Sequence, residues 1–182
     1  MLKRLSRGWA RGELALAAAL AVGVTLLILA NVVTRATGRA IYWTDEAAVY
    51  AMIWMTFLAA SASIHDRSAV AVTLVPDMLG GGARRALRIA VDAIVLAFAL
   101  LMAWFCWRWF RPDVLIATGF DTRAFQQETF NFVYAEPTNT LGIPKIWVWL
   151  VMPLFTLGLI LHAVHNLIAG LRGEAPEPEQ AT

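Results

Sequence analysis

Charged residues are scarce in this chain, and hydrophobic residues are abundant. Asp, Glu, Lys and Arg make up 15% of the 182 residues, whereas 59% are hydrophobic. Soluble domains contain about 25% charged residues and reach roughly 45–50% apolar residues only when glycine is counted. The composition therefore excludes an ordinary soluble enzyme, a disordered chain and a collagen-like chain. The net charge of +2 gives no indication of a nucleic-acid partner.

Cysteine is almost absent, since Cys106 is the only one in the sequence. One cysteine cannot form an intramolecular disulfide, a CxxC redox pair or a thiolate metal cage. Cys106 lies in an apolar run, where a free cysteine usually behaves as a small hydrophobic residue. Membrane disulfide oxidoreductases are therefore excluded.

A phosphate-binding loop is absent as well. Gly80-Gly81-Gly82 precedes two arginines, Arg84 and Arg85, but no Gly-Lys-Ser/Thr sequence follows. We interpret this segment as a hinge followed by basic residues that face anionic lipid headgroups.

Long apolar stretches are what the sequence does contain. A membrane-spanning helix needs roughly 20 apolar residues, because the hydrocarbon layer is about 30 Å thick. Four stretches qualify, at 14–33, 47–64, 89–107 and 146–168. They do not alternate in polarity as barrel strands would. The sequence therefore predicts an all-α integral membrane protein with four transmembrane helices and a single membrane domain over 1–182.

The first stretch could be a signal peptide, because four basic residues precede it. A signal peptide has an apolar core of about 7–15 residues and a cleavage site of small residues. Here the apolar stretch continues to Val33 and is followed by Thr34 and Arg35. This pattern favours a membrane span.

The distribution of basic residues predicts the orientation. Both termini and the 65–88 loop would share one side, with nine basic residues against six on the other side. We therefore expect cytoplasmic termini, a cytoplasmic 65–88 loop with a short interfacial segment at 69–75, and an acidic tail over 169–182. The long 108–145 loop is expected in the periplasm.

Charge inside the predicted spans is limited to Asp92. It follows Arg88 by four residues, a spacing that permits a helical ion pair near the interface. A proton-relay role is the alternative, and the structural pair is favoured over it. Without charge near the midplane and without an internal repeat, a transporter or exporter that works alone is not favoured.

Three histidines offer a second alternative. His65 with His162 or His165 could ligate a haem between neighbouring helices, as in a four-helix b-type cytochrome membrane anchor. No carboxylate completes a convincing metal set around them. We therefore expect no metal, no cofactor and no catalytic residue.

Two segments resemble the small permease subunits of TRAP (tripartite ATP-independent periplasmic) transporters of bacteria. One is Trp43-Thr44-Asp45-Glu46 leading into Tyr50, Trp54 and Phe57-Leu58-Ala59-Ala60, and the other is Gly142-Ile143-Pro144-Lys145 followed by Trp147 and Pro153. The resemblance covers about residues 10–170, including the number of spans. Ala59 replaces the family's usual glycine. Ala69-Val70-Ala71-Val72-Thr73 replaces its usual His-Ile-x-Val-Asp.

The resemblance implies a non-catalytic subunit in the bacterial inner membrane. It would associate with the large TRAP permease subunit and with membrane lipids, as a scaffold for sodium-coupled uptake of an organic acid. A periplasmic substrate-binding protein would deliver that acid. The candidate subunit-interface residues are Trp43, Asp45, Glu46, Trp54, Pro144, Trp147 and Pro153.

Overall fold

The computed structural model describes residues 1–66 and 79–173, apart from the side chain of Asp66. The predicted interfacial segment at 69–75 and the acidic residues from 174 onward lie outside the described residues. The described helices are α1 (Leu2–Ala36), α2 (Trp43–Asp66), α3 (Gly81–Phe110), α4 (Pro112–Ala117), α5 (Thr122–Thr129), α6 (Ile146–Trp149) and α7 (Val151–Arg172).

Four helical stretches in the described residues are long and apolar enough to cross a membrane. They are Leu2–Ala36, Trp43–His65, Gly81–Ala117 and Ile146–Arg172, judged by length and composition. Each contains one of the predicted spans, so the four-helix fold is confirmed. Every helix also extends beyond its apolar stretch, and α1 begins at Leu2 rather than at Leu14.

The helix α7 lies at the centre of the bundle. It packs against α1, α2 and α3, whereas α1 packs mainly against α2, and α7 is the main partner of α3. Small residues face the helix contacts, including Ala10, Ala17, Ala62 and Ala163, which are all buried. Small side chains let helices approach closely in a membrane protein, where van der Waals packing is a main source of association energy.

The fourth spanning stretch is interrupted at Leu150, between α6 and α7. Pro153 has no N–H to donate to the carbonyl of Trp149, and its ring clashes with that carbonyl. The regular hydrogen-bonding pattern of the helix is therefore interrupted one turn before the proline, while Leu150 still donates to Ile146 at 3.0 Å.

We call the end of the bundle with residues 37–42 and 111–145 the loop end, and the opposite end the terminal end. α3 continues to Phe110, beyond the predicted limit at Trp107, and ends where Arg111 adopts a left-handed backbone conformation. Residues 111–145 then fold over the loop end as a compact unit, which we call the loop-end cap.

A small apolar core holds the loop-end cap in place. Phe125 is fully buried and packs with Val114, Val133 and Phe110 at the end of α3. The hydroxyl of Tyr134 donates to the carbonyl of Phe110 at 2.6 Å. Burial raises the pKa of the Tyr134 hydroxyl, so this donor stays protonated across the physiological pH range.

Candidate functional site: the Glu46 clamp at the loop end

Glu46, on the first turn of α2, binds the loop-end cap through both carboxylate oxygens. Its Oε1 accepts from the backbone N–H of Asn139 at 2.8 Å and from the hydroxyl of Tyr50 at 2.7 Å. Its Oε2 accepts from the N–H and hydroxyl of Thr140, both at 2.6 Å, and from the N–H of Leu141 at 3.1 Å. Hydrogen bonds to a carboxylate are stronger than those between neutral groups. We call this arrangement the Glu46 clamp.

The clamped segment is a tight turn closed by its own backbone. Thr138 N–H donates to the carbonyl of Ile143 at 2.8 Å, and Lys145 N–H donates to the carbonyl of Glu136 at 2.8 Å. The turn passes through Gly142, whose φ of +70° is a conformation that favours glycine. Glu46 therefore binds a turn that is already shaped, and this turn leads directly into Pro144.

Asp45, next to Glu46, points to a different helix. Its carboxylate accepts from the side-chain amide of Asn31 and from the guanidinium of Arg35, both near the end of α1. Arg35 Nε in turn donates to Asn31 Oδ1 at 2.8 Å. The acidic pair therefore joins three parts of the molecule, because Asp45 ties α2 to α1 while Glu46 ties α2 to the loop-end cap.

The other residues predicted at the interface fall into two groups. Trp43, Pro144 and Trp147 are exposed at the loop end, with Trp43 46% and Trp147 61% accessible. Trp43 lies one turn from Glu46, and the other two follow the clamped turn. Trp54 and Pro153 are half-buried further along α2 and α7. The structure thus brings the beginnings of the two resembling segments together at the loop end.

A second polar group, at the terminal end, lies among α1, α2 and α7. Ser6 Oγ is 2.7 Å from His65 Nδ1 and 2.8 Å from His162 Nδ1. His162 Nε2 is 3.1 Å from Glu13 Oε2, and Trp9 Nε1 donates to Glu13 Oε1 at 2.9 Å. We call these five residues the inner polar cluster.

Burial makes the hydrogen bonding of the inner polar cluster obligatory. His162 is 0% and Glu13 5% exposed. If His162 is neutral and its Nε2–H donates to the Glu13 carboxylate, His162 Nδ1 must accept the Ser6 hydroxyl proton. Ser6 Oγ then accepts from His65 Nδ1–H, which sets a single donor direction from His65 to Glu13. The cluster thus connects three helices through one hydroxyl group.

Sequence reasoning missed Glu13 because it precedes the apolar stretch that starts at Leu14. A signal was present, since Ser6, Ala10, Glu13 and Ala17 recur at helical spacing and are all buried. A pattern of small and polar residues on one face of α1 indicates packing against other helices rather than against lipid.

Haem ligation would need a ring nitrogen of each ligating histidine to be free to bind iron. The rings of His65 and His162 lie 5.2 Å apart between centroids. Both ring nitrogens of His162 already have protein partners, so an axial bond to iron would break the inner polar cluster. No group of three or more His, Cys, Asp or Glu side chains within 1–65 and 79–173 is arranged to hold a metal ion.

Asp92 is buried on α3 and faces α7. Its Oδ2 would lie 3.5 Å from a Cβ atom built on Gly170. The ion pair with Arg88 stays a prediction. Arg85, two turns before Asp92 on α3, donates to the carbonyls of Gly170 and Leu171 at 3.2 and 2.6 Å. It therefore caps the end of α7, where a cation is favoured by the helix dipole.

Comparison with known proteins identifies the family. Residues 24–173 match the sequence family described as "Tripartite ATP-independent periplasmic transporters, DctQ component". A search of curated proteins found no match to this chain. The matched range includes the Glu46 clamp, the loop-end cap and α7, but it omits the first part of α1 with Ser6, Trp9 and Glu13. Because the family is a transporter component, the chain is not an enzyme, and its membership implies association with other TRAP components. The chain belongs to the DctQ component family and is a small, multi-pass membrane subunit of a TRAP transporter.

Proposed function

We propose that this chain is the scaffold subunit that binds the large permease subunit of a TRAP transporter in the bacterial inner membrane. The loop end faces the periplasm, where a substrate-binding protein docks. The complex takes up an organic acid with sodium. The chain itself contributes no solute pathway.

The Glu46 clamp is the observation that best supports this function. It fixes the turn before Pro144 to α2 and leaves the aromatic side chains of Trp43 and Trp147 exposed beside it. Aromatic residues are enriched in protein interfaces, and rigid placement lowers the entropy lost on binding. A fixed aromatic surface at one end of an apolar bundle suits a subunit that positions a partner.

Copurification tests the association. A tagged full-length chain should bring down a much larger membrane protein from native membranes in mild detergent. Glu46→Ala should lower the yield of that complex several-fold while the subunit itself remains in the membrane fraction. Glu128→Ala, on the exposed surface of α5, is the matched control and should leave the yield unchanged. Recovery of the wild-type chain alone would contradict the proposal.

Two tryptophan-to-alanine substitutions test the part of the interface that lies in the membrane. Trp54, half-buried on α2, is expected to contact the partner, and Trp54→Ala should weaken association without changing substrate affinity. Trp104→Ala, on the exposed face of α3, is the control. A loss of complex with Trp104→Ala and not with Trp54→Ala would move the interface from α2 to α3.

Transport by the reconstituted complex tests the coupling. Uptake of organic acids into proteoliposomes should require this chain, the large subunit, the binding protein and an inward sodium gradient. Replacing sodium by potassium should abolish accumulation. Accumulation that continues in potassium would exclude sodium coupling, and accumulation without this chain would exclude the scaffold role.

Labelling tests the orientation. In a Cys106→Ala background, Arg123→Cys on α5 should react with a membrane-impermeant maleimide from the periplasmic side, and Gly8→Cys on α1 should not. The reverse pattern would place the loop end in the cytoplasm and contradict docking of a periplasmic protein there.

A further inference from the structure

An open groove lies between the loop-end parts of α3 and α7. Its volume is about 450 Å³, and it is lined by Met102, Phe105, Cys106, Arg108, Trp109 and Met152. The residues from α3 recur at spacings of three and four, so they lie on one face of the helix. Arg108 is the charged member of this lining, and all the others are apolar.

Arg108 and Trp109 line the outer end of the groove, and Met102 lines its inner end, which has no charged residue. Arg108 immediately follows the apolar stretch that ends at Trp107, which is the level where lipid headgroups begin. Met102 lies about 9 Å deeper, because an α-helix rises about 1.5 Å per residue. Along this depth a lipid changes from its phosphate to its acyl chain.

The polar atoms behind the groove are already paired within the protein. Cys106 Sγ lies 3.7 Å from the hydroxyl of Thr156, and that hydroxyl donates to the carbonyl of Met152 at 2.8 Å. Trp109 packs edge-on against Trp149, with 5.3 Å between ring centroids. The polar atoms of Cys106 and Thr156 therefore need no partner from a ligand, and the wall suits an apolar one.

Arg108 differs from several other cations at the loop end. Arg35 pairs with Asp45, Arg111 with Asp113 and Lys145 with Glu136. Arg108 has no ion pair or side-chain hydrogen bond with any residue that the structure describes. Its guanidinium therefore presents an uncompensated charge beside an apolar groove, and a guanidinium matches the geometry of a phosphate group.

We propose that this groove binds one phospholipid with a net anionic headgroup, in the leaflet at the loop end. The phosphate contacts Arg108, and one acyl chain lies on Phe105, Met102 and Met152. Charge complementarity and the change from cation to apolar surface with depth select this occupant. The proposal requires membrane insertion of the chain but not its scaffold role.

Native mass spectrometry of the purified full-length chain tests the proposal. Dioleoyl phosphatidylglycerol and dioleoyl phosphatidylcholine, added at equal concentration, separate headgroup charge from acyl-chain binding. The wild-type chain should retain one phosphatidylglycerol in preference to phosphatidylcholine. Arg108→Gln should lower that preference roughly tenfold, because a charge-assisted contact is lost. Arg123→Gln, on α5 outside the groove, should leave it unchanged.

A second variant tests the apolar part of the groove without changing its charge. Met152→Trp fills the groove and should lower retention of both lipids, whereas Met52→Trp, exposed on α2, should not. A phosphatidylglycerol with a photoreactive group in its acyl chain should label residues 102–109 or Met152 in the wild-type chain. Equal phosphatidylglycerol retention by wild type and Arg108→Gln would overturn the proposal. Labelling spread evenly over α1 and α3, or a groove filled by the partner subunit in the copurified complex, would overturn it as well.

Discussion

At the scale of single residues, two neighbouring carboxylates have separate structural roles. Asp45 accepts from side chains at the end of α1, and Glu46 accepts mostly from backbone groups of the loop-end cap. A side chain that binds backbone N–H groups fixes the path of the chain rather than the position of another side chain. Replacing Glu46 should therefore alter the loop-end cap, whereas replacing Asp45 should alter the contact between α1 and α2.

Hydrogen exchange measures the Glu46 clamp directly. The side chain of Glu46→Gln has a single acceptor oxygen, so we expect it to keep the three contacts at Oε2 and to lose the two bonds accepted by Oε1, from Asn139 N–H and from the Tyr50 hydroxyl. The Asn139 amide should then exchange roughly tenfold faster, while the amides of Thr140 and Leu141 change less. Glu46→Ala should release all three amides.

The control for this experiment is Glu136→Gln. Its Oε1 accepts from Lys145 Nζ at 2.6 Å in the same turn, without touching the three clamped amides. Exchange at Asn139, Thr140 and Leu141 should match the wild type. Wild-type exchange in Glu46→Ala as well would show that the clamp does not order the turn in the membrane.

At the scale of elements, α7 organises the bundle because it contacts each of the other three long helices. Gly158 of α7 lies beside polar side chains of α1 and α2. A Cβ at this position would lie 2.4 Å from Glu13 Oε1, 2.5 Å from Ser61 Oγ and 2.9 Å from Trp9 Nε1. The space that glycine leaves is therefore occupied by polar side chains from the other two helices.

Gly158→Ala should destabilise the bundle even though alanine is the better helix former. Glu13 would have to move away from α7, which disturbs its contacts with Trp9 and His162. Overpacking of this kind costs about 1–3 kcal/mol. Unfolding of the purified chain in increasing denaturing detergent should start at a lower concentration than for the wild type.

Gly23→Ala provides the comparison, because apart from its own stretch of helix no described residue comes within 4 Å of a Cβ built at Gly23 on α1. This variant should be neutral or more stable by up to about 1 kcal/mol, the usual gain from replacing a helical glycine by alanine. Equal stability of the two variants would contradict the close approach of Glu13 and Ser61 to α7.

At the scale of the whole molecule, α1, α2 and α7 contact one another, and α3 packs mainly against α7. This arrangement leaves much of α1 and α3 without a protein neighbour within the described residues. Large apolar side chains are exposed along both helices, among them Leu26 and Val32 on α1 and Ile94 and Phe98 on α3. These surfaces are available to lipid and to other TRAP components.

Cross-linking tests the placement of α3 beside α7. A Cβ on Gly170 would lie 3.4 Å from Cγ1 of Ile89, so the Cβ atoms of the two positions are at most one C–C bond farther apart than this, close to the Cβ separation of a disulfide. Ile89→Cys with Gly170→Cys, in a Cys106→Ala background, should form an intramolecular cross-link on mild oxidation, measured by mass and gel mobility. Val91→Cys with Gly170→Cys should not, because Val91 is exposed. Equal cross-linking of both pairs would argue against the packing of α3 on α7.

The sequence by itself determined the class of protein, the four spans and the family resemblance. These properties depend on local composition, because lipid requires long apolar helices whatever their neighbours are. The sequence also identified Asp45 and Glu46, but not their partners. On local grounds alone, acidic residues at the start of a helix are explained by the helix dipole.

Only the tertiary structure decided which distant groups meet. Glu46 binds residues that follow it by more than ninety positions, and Ser6 meets His162 across nearly the whole chain. Glu13 is at the margin of an apolar stretch in the sequence but is buried between helices in the fold. Such contacts depend on how the helices rotate and pack against one another, and hydrophobic periodicity is a weak guide to this when every face of a helix is apolar.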